Sequence, residues 1–409
     1  MAERRYLSEE ELGHTRQGGP DLPGEGAAES AVQPQPEERL EQTSIFRQPE
    51  TFPEHTAAIE LPAAADAAAA DPLTCMSGGC RRHLETALPA RLDSLTAQQR
   101  QAAGSALCGG ARYAVDSFLA KGAECNIYNA RVQGYVFCVK AVRNWLDRWI
   151  GRSGMRGEQG RLAGVSYKTK VRHITNEYNV GSVLCSGSRA SAGAVRFFSL
   201  RRVRRFGLEI GWDLLMERIN GIDLGDKVLL RSMSIEDKLR VALQMCRLIG
   251  VMHQRHLVHL DIKPSNFMLE RDGRVRLIDF GISVTSGYRS KTVAGTAGFF
   301  SPEQICRGAL REDTDIFALG VAIAIIFGGK ALSQNADEVL QKTARKQAAS
   351  ALENGTVPAL GEIPELAQYR EIAGVIRSCT VFKRSMRINS CQQLAARLRN
   401  AAEKSGLKL

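Results

Sequence analysis

The sequence lacks the features that would place the chain in a specialised structural class. Its longest apolar run, Leu319 to Gly329, falls well short of the ~20 residues that a membrane-spanning helix needs, and it predicts a buried core helix instead. The sequence has no internal repeat, which excludes a solenoid. Aromatic residues make up only 6% of the 409 residues, but the hydrophobic fraction of 44% is ordinary. These values exclude a chain that is fully disordered, collagenous or fibrous, and the length predicts two to three domains.

The cysteines show neither a disulfide framework nor a metal-site spacing. Ten are scattered along the chain, most of them among apolar neighbours, as Cys138 is. Cys75 and Cys80 lie close together, but no second pair follows at a distance typical of a zinc site. The first residues lead into acidic side chains rather than an apolar segment, so we see no secretory signal. We therefore expect free thiols and an intracellular location, cytoplasmic or nuclear.

Charge is distributed unevenly along the chain. Residues 1–100 hold 9 Lys and Arg against 17 Asp and Glu, whereas the other residues hold 46 against 27. A basic body of this kind fits nucleic acid, an anionic membrane or acidic substrates as partners. It equally fits a soluble enzyme that handles polyphosphates.

Changes in composition and in hydrophobic pattern along the sequence predict a leader followed by two lobes. Residues 1–105 are rich in Ala, Glu, Pro, Gln and Gly, so we predict a disordered acidic leader there. Residues 106–219 carry β-rich segments, interrupted at 143–172 by a Gly- and Arg-rich insertion. Residues 220–409 are dominated by helical patterns, beginning with a helix capped by Ser234. A β-rich front and a helix-rich back predict an α+β fold with two lobes.

The residues with the clearest chemistry lie in the segments 259–266 and 275–281. Phosphoryl transfer needs an acceptor for the substrate hydroxyl proton, a cation near the moving phosphoryl group and oxygen ligands for Mg²⁺. Asp261 suits the first role and Lys263 the second. Asn266 and Asp279 suit the third, because Mg²⁺ takes hard oxygen donors. The Asp-Gly turn between the two segments predicts a hairpin that brings them together.

The two segments, His-Leu-Asp-Ile-Lys-Pro-Ser-Asn and the later Asp-Phe-Gly, resemble the eukaryotic-type protein kinases in both order and spacing. An isolated Asp-Phe-Gly would indicate only a turn. The resemblance covers about residues 112–395. It implies the bilobal kinase fold, with ATP and Mg²⁺ between a small β-rich N-lobe and a larger helical C-lobe. It also implies transfer of the γ-phosphoryl group of ATP to protein Ser or Thr hydroxyls.

The same resemblance assigns nucleotide-binding roles to other positions. The residues concerned are Ala120, Lys121, Gly122, Ala123 and Ile127 in the Gly-rich loop, Lys140 on the third strand, Glu177 on the next helix, and Glu217, Ile219 and Asp223 at the hinge. The family's loop has three glycines, of which this chain keeps only Gly122, with Ala120 and Cys125 at the outer positions. Glu158 is an alternative partner for Lys140, although the glycines around it oppose a helix. Asp223 fits either a ribose contact or a helix N-cap.

The activation segment and the late helices also match the family. Thr296 matches the residue that braces the catalytic Asp and Lys in Ser/Thr kinases, so we expect Ser/Thr specificity. Ser301 replaces the family's usual Ala. The resemblance further implies an ion pair between Glu303 and Arg387, and it implies that Asp315 caps the backbone of the catalytic loop.

One departure concerns regulation. The family's His-Arg-Asp triplet is His259-Leu260-Asp261 here. The Arg of the triplet normally receives a phosphate carried by the activation segment, and Leu260 has no charge with which to do so. We therefore predict activity that does not depend strongly on phosphorylation of Ser290, Thr292 or Thr296 in the activation segment.

Two other functions stay open at this stage. The eroded Gly-rich loop favours a pseudokinase scaffold that binds nucleotide weakly. A small-molecule kinase is disfavoured by the activation segment. The insertion at 143–172 has eight basic side chains against two acidic ones, and its alternatives are a solvated loop, a docking patch for acidic partners, or a nucleic-acid or membrane contact. We favour a protein substrate over nucleic acid, expect no membrane span, and leave the oligomeric state open.

Overall fold

The structure is a computed structural model that describes residues 71–122, 124–150, 165–185, 193–332 and 360–409. Three regions named in the sequence predictions lie outside the described residues. They are the first 70 residues of the leader, Ala123 of the Gly-rich loop and residues 151–164 of the basic insertion.

The N-lobe is built on an antiparallel sheet of five strands in the order β1-β2-β3-β5-β4. The strands are β1 (Ala114–Lys121), β2 (Asn126–Val132), β3 (Tyr135–Arg143), β4 (Phe197–Arg205) and β5 (Leu208–Glu217). Two tight turns join neighbouring strands, Gln133-Gly134 and Phe206-Gly207, and all four turn residues have positive φ. Such turns match the right-handed twist of the flanking strands. Helices α3 (Trp145–Ile150) and α4 (Tyr167–Cys185) lie between β3 and β4 in the chain.

The C-lobe is mainly helical. Its helices are α5 (Lys227–Ser232), α6 (Ile235–His253), α7 (Pro302–Ile305), α8 (Glu312–Ile326), α9 (Arg370–Cys379) and α10 (Cys391–Lys404). Its short strands are β6 (Gly221–Asp223), β7 (Leu257–Val258), β8 (Phe267–Glu270), β9 (Val275–Leu277) and β10 (Val284–Thr285). The predicted α+β fold with two lobes is confirmed.

Local sequence signals explain the helices at the centre of the C-lobe. Ser234 caps α6 through a reciprocal capping box with Asp237, as the sequence predicts. The apolar run from Leu319 lies in α8, which is buried on nearly all sides, so the predicted core helix is confirmed. Within the described ranges, no helix is both long and apolar enough to cross a bilayer.

The prediction of disorder up to residue 105 is wrong for residues 71–105. Helices α1 (Gly78–Ala87) and α2 (Ala97–Cys108) are folded, and each buries a narrow apolar edge. Cys80 and Leu84 join the main core, and Ala103 and Leu107 join the N-lobe core. Two apolar residues four positions apart are enough to bury one edge of a helix. Such a pair is not recognised as a helical pattern when the surrounding sequence is mostly polar.

The limits of the basic insertion also differ from the prediction. Helix α4 begins at Tyr167, inside the predicted insertion, and α3 occupies Trp145–Ile150. Parts of the predicted 143–172 insertion near both of its ends are therefore helical. Because α4 carries Glu177 in its middle, the earlier start lengthens the helix that positions this residue.

Candidate active site

The catalytic loop is fixed by the first turn of α8. The fully buried carboxylate of Asp315 accepts hydrogen bonds from the backbone N–H groups of His259 (2.7 Å) and Leu260 (3.0 Å). The Nε2 atom of His253 lies 3.0 Å from the same carboxylate. Leu260 has a φ of 68°, a conformation that a non-glycine residue adopts at an energetic cost. The bonds to Asp315 hold this turn in place, as the resemblance implied.

Asp261 lies at the centre of a group of polar side chains. Its Oδ1 accepts a hydrogen bond from the Thr296 hydroxyl at 2.5 Å, and its Oδ2 accepts one from Lys263 Nζ at 2.8 Å. Lys263 Nζ also donates to Thr296 Oγ1 at 2.8 Å. The carboxylate is therefore held on both sides, by a cation and by a hydroxyl.

The predicted magnesium ligands lie at the two ends of the β8–β9 hairpin. Asn266 Nδ2 donates to the backbone carbonyl of Asp261 at 2.7 Å and to its Oδ2 at 3.2 Å. Asn266 also accepts a backbone bond from Ile278, the residue before Asp279. The Asp-Gly turn thus brings Asn266 and Asp279 side by side, as the sequence predicts. An amide oxygen and a carboxylate form a donor set that fits Mg²⁺.

Asp279 is suited to stay ionised. Burial by itself raises the pKa of this carboxyl, but the Lys140 ammonium and the Gly281 N–H outweigh that effect, so the pKa lies below its ordinary value. Lys140 Nζ is 3.4 Å from Asp279 Oδ1, and Gly281 N is 3.2 Å from it. The side chain is nonetheless 41% exposed, which leaves an oxygen accessible to a cation.

Lys140 forms a buried ion pair with Glu177. Its Nζ donates to Glu177 Oε2 at 2.6 Å, and the Glu177 side chain is only 1% exposed. Burial raises the pKa of Glu177 to about 7 against the opposing effect of Lys140. The neighbouring Asp279 and Glu177 carboxylates raise the pKa of Lys140 well above its ordinary value, although burial lowers it. The alternative partner, Glu158, lies outside the described residues.

The ion pair between Lys140 and Glu177 should make the transfer rate depend on pH. Because the pKa of Glu177 is about 7, its charged pair with Lys140 forms above that pH and is lost as the pH falls through it. We expect the transfer rate to fall below pH 7. Glu177→Gln should lower the rate about tenfold or more at pH 8, the value of a hydrogen bond between charged groups, and should remove the step that Glu177 contributes. Initial rates from pH 5.5 to 8.5 would measure both effects, and an unchanged step in the variant would contradict the assignment.

The Gly-rich loop closes the end of the β1–β2 hairpin. Gly122 N–H donates to the carbonyl of Cys125 at 2.9 Å, and Ala120 is paired with Ile127 across the hairpin. Lys121 is paired in the same way with Asn126. Cys125 is buried beneath the turn, and this burial raises the pKa of its thiol to about 12. A side chain thus fills the position where the family has a third glycine.

The hinge follows the end of β5. Met216 is buried between the paired residues Cys138 and Phe197. The Glu217 carboxylate accepts from Arg276 at 2.7 Å. Burial raises the pKa of Glu217, but Arg276 and Arg196 overcome this and hold it below its ordinary value. The resemblance placed Glu217 at the nucleotide-binding hinge and did not predict this ion pair.

The remaining hinge residues have local partners. The carbonyl of Ile219 accepts a hydrogen bond from Arg218 Nη1. Asp223 Oδ1 accepts from Gly225 N at 2.9 Å. Asp226, not Asp223, caps α5 by accepting from the first backbone N–H groups of that helix. The helix N-cap alternative for Asp223 is therefore wrong, because α5 begins four residues after it.

Two further positioning residues carry no recognisable sequence signal. Asn176 Nδ2 donates to the carbonyls of Phe280, Gly281 and Ser283 at 3.3, 3.1 and 2.9 Å, so α4 holds the Asp-Phe-Gly turn directly. Gln304 Nε2 donates to the carbonyls of Leu260 and Ala294 at 3.2 Å. Both are neutral amides whose roles depend on backbone partners distant in sequence.

Because Leu260 replaces the usual Arg, we predict that phosphorylation of the activation segment has little effect on the transfer rate. The Leu260 side chain is buried and offers no charge to a phosphate, while Thr292 is exposed and its N–H donates to Ser290 Oγ at 3.2 Å. We expect Thr292→Ala to leave the transfer rate within about twofold of the wild type, since surface changes away from special features have small effects. Initial rates on a peptide substrate, with the wild type treated with phosphatase as control, would check this. A loss of activity in either sample would refute it.

Comparison with known proteins shows that part of this chain is similar to protein kinases. Residues 209–398 match the family model described as protein kinase domain. The chain is 33% identical over 139 residues to the death-associated protein kinase dapk-1 of Caenorhabditis elegans, covering 32% of this chain and 10% of that protein. It is 34% identical over 102 residues to an Aurora kinase of Candida glabrata, covering 24% and 28%. It is also 30% identical over 122 residues to the serine/threonine-protein kinase PrkC of Bacillus subtilis, covering 29% and 19%.

The family match covers the last N-lobe strand, the hinge and most of the C-lobe. The family match begins after the Gly-rich loop and Lys140, which agrees with the eroded glycine pattern. The matched segments span less than a third of the length of these relatives. The catalytic loop, the Asp-Phe-Gly turn and the ion pair between Glu303 and Arg387 all lie inside the matched region. Together with the two-lobed fold, they make the chain similar to the eukaryotic-type protein kinases, with residues 209–398 matching the protein kinase domain.

Proposed function

We propose that the protein is an ATP-dependent serine/threonine protein kinase. The observation that carries this proposal is the position of Asp261, whose carboxylate is held by Lys263 and Thr296 next to Asn266. A carboxylate held in this way is ready to accept the proton of a substrate hydroxyl. The charged pair of Lys140 and Glu177, beside Asp279, supplies the other half of a phosphoryl-transfer site.

Each charged group has a distinct role in this proposal. Lys140 neutralises the α- and β-phosphates of ATP, with its orientation fixed by Glu177. Asp279 and the amide oxygen of Asn266 hold Mg²⁺, which when bound offsets the negative charge of the phosphates. Asp261 orients the substrate hydroxyl and accepts its proton, while Lys263 stabilises the charge on the transferred phosphoryl group. Catalysis therefore comes mainly from positioning and electrostatics.

The remaining assignments concern binding of the nucleotide. Residues Ala120, Lys121, Gly122, Ala123 and Ile127 cover the phosphates, the backbone of Glu217 and Ile219 contacts adenine, and Asp223 contacts the ribose. Thr296 supports Ser/Thr over Tyr as the acceptor, because its hydroxyl bridges Asp261 and Lys263. Protein substrates with Ser or Thr acceptors follow from this assignment.

A direct transfer assay tests the proposal. Radiolabelled [γ-³²P]ATP would be incubated with the full chain and three peptides that differ only in having Ser, Thr or Tyr as acceptor. We expect label on the Ser and Thr peptides, and loss of transfer when EDTA removes Mg²⁺. Label on the Tyr peptide alone, or transfer that EDTA leaves unchanged, would contradict the assignment.

The second candidate function is a pseudokinase scaffold. Cys125 favours it, because a buried side chain stands where the family's loop has a glycine, and glycines allow the backbone to approach phosphates closely. Thermal unfolding with and without MgATP separates the two functions. A raised unfolding temperature without any phosphoryl transfer would favour the scaffold over the kinase.

A further inference from the structure

A segment before the N-lobe connects both lobes on the side of the hinge. We call residues 71–112 the strap. At its start, Ser77 N–H donates to Asp237 Oδ1 at 2.8 Å, and Gln244 Nε2 donates to the carbonyl of Leu73 at 2.8 Å. Met76 and Leu84 are buried in the main core. The first half of the strap is therefore fixed to the C-lobe.

The second half of the strap is fixed to the N-lobe. Leu107 and Ala103 on α2 are buried in the same cluster as Phe137 of β3. Arg201 on β4 donates to the carbonyls of Ala111 and Leu107 at 2.7 and 2.5 Å. The strap thus spans from one lobe to the other.

Between these two attachments, the strap passes behind the hinge. Asn220 Nδ2 donates to the carbonyl of Pro89 at 2.7 Å, and Arg271 Nη1 donates to that of Leu88 at 3.0 Å. A cavity of about 670 Å³ lies here, lined by the strap, the hinge and the β8–β9 turn. Lys140, Asp261 and Asp279 do not line it, whereas the hinge residue Glu217 does. The cavity therefore borders the hinge but is distinct from the catalytic group.

Most acidic side chains that line the cavity are already neutralised. Arg276 lies 2.7 Å from Glu217 and 3.4 Å from Glu270. Two other pairs lie within the lining itself, Asp93 with Arg100 at 2.9 Å and Asp272 with Arg274 at 2.6 Å. These carboxylates therefore add little negative charge to the cavity.

Four arginines that line the cavity are not paired with a carboxylate of the described residues. Arg81, Arg91, Arg218 and Arg271 line the cavity, and none has a carboxylate within salt-bridge distance among the described residues. Arg218 and Arg271 donate instead to neutral groups, Asn129 and the carbonyl of Leu88. Glu85, one helical turn after Arg81, is the remaining acid. The cavity has an excess of guanidinium groups over free carboxylates.

We propose that this cavity binds a small-molecule anion that carries two or more phosphate groups. Guanidinium groups bind phosphate oxygens in pairs with good geometry, and the volume lies in the range of small-molecule sites. The arginines come from the strap, the hinge and the β8–β9 turn. The bound anion therefore links all three and holds the strap against the hinge.

Titration with inorganic tripolyphosphate tests the site. Isothermal titration calorimetry would use the full chain carrying Lys140→Met, which weakens phosphate binding in the catalytic cleft. We expect one binding site, and Arg81→Ala should weaken it about tenfold or more, the value of a hydrogen bond to a charged group. Arg82→Ala is the matched control, because Arg82 is exposed on the same helix and does not line the cavity. It should bind as tightly as the parent.

Several outcomes would overturn the proposal. Absence of binding, or equal weakening by Arg81→Ala and Arg82→Ala, would show that the cavity does not bind the anion. Competition by an ATP analogue would place the anion in the cleft instead. A phosphoserine peptide that binds while tripolyphosphate does not would replace the small-molecule ligand by a protein. Unfolding midpoints without ligand, equal in both variants, exclude a folding defect, and none of these readouts depends on phosphoryl transfer.

Discussion

Replacing Asp261 by Asn is expected to lower the rate of phosphoryl transfer about 10²- to 10⁴-fold, the contribution typical of a positioned general base. Asn has nearly the same shape as Asp, and its amide oxygen can still accept from Thr296. It cannot accept the substrate proton, and an amide in place of Oδ2 no longer offers Lys263 a negative charge. The loss should therefore appear in kcat, whereas the affinity for ATP should change little.

The measurement is the radiolabel assay at saturating ATP and Mg²⁺, with nucleotide affinity measured separately by calorimetry. Asp116→Asn serves as the control, because Asp116 pairs with Arg131 on the outer part of the N-lobe sheet and has no part in the site. Transfer by Asp261→Asn at the rate of the control would assign the base to another residue. A loss of ATP affinity equal to the loss of rate would assign Asp261 to nucleotide binding.

Replacing Glu303 by Gln is expected to destabilise the fold by about 3–5 kcal/mol, the cost of leaving a buried charge without its partner. Arg387 Nη1 and Nη2 donate to the two carboxylate oxygens of Glu303 at 2.7 and 3.2 Å. The Arg387 side chain is fully buried and that of Glu303 is 6% exposed. Arg387 also donates to the carbonyls of Val381 and Asp313, which cannot neutralise its charge.

The free energy of unfolding from urea titrations would measure this effect. Glu371→Gln makes the same chemical change in an exposed ion pair, in which Lys404 and Glu371 are 61% and 58% exposed at 3.6 Å. Exposed pairs contribute about 0–1 kcal/mol, so this control should remain near the wild type. Equal losses in the two variants would mean that burial does not determine the strength of the Glu303 pair.

The residues of the predicted catalytic loop meet in the structure because they lie close together in the chain. Asp261, Lys263 and Asn266 fall within six positions, and an Asp-Gly turn returns the chain to Asp279. Short spacing of this kind leaves little freedom in how the side chains can meet. The partner of Lys140 was harder to assign, because a helix elsewhere in the chain had to be matched to a strand. Glu177 stood out only because glycines surround Glu158.

The sequence was least informative about helices that bury few residues and about neutral side chains that hold the backbone in place. Helices α1 and α2 were missed because each buries only a few residues, such as Leu84 and Leu107. Asn176 and Gln304 were missed because an amide that binds backbone carbonyls leaves no pattern in the sequence. Asp223 was given a helix-cap alternative because the start of a short helix cannot be fixed from propensity within a few residues.

By itself, the sequence predicted the resemblance to the protein kinases, the two-lobed α+β fold and a set of charged side chains suited to phosphoryl transfer. These predictions depend on residue type and on spacing along the chain, and both can be read from the sequence. Only the tertiary structure decided which distant groups meet. The attachment of the strap to both lobes is of this kind, and so is the set of arginines behind the hinge that pair with no carboxylate among the described residues. Charge balance depends on distances between side chains that lie far apart in sequence.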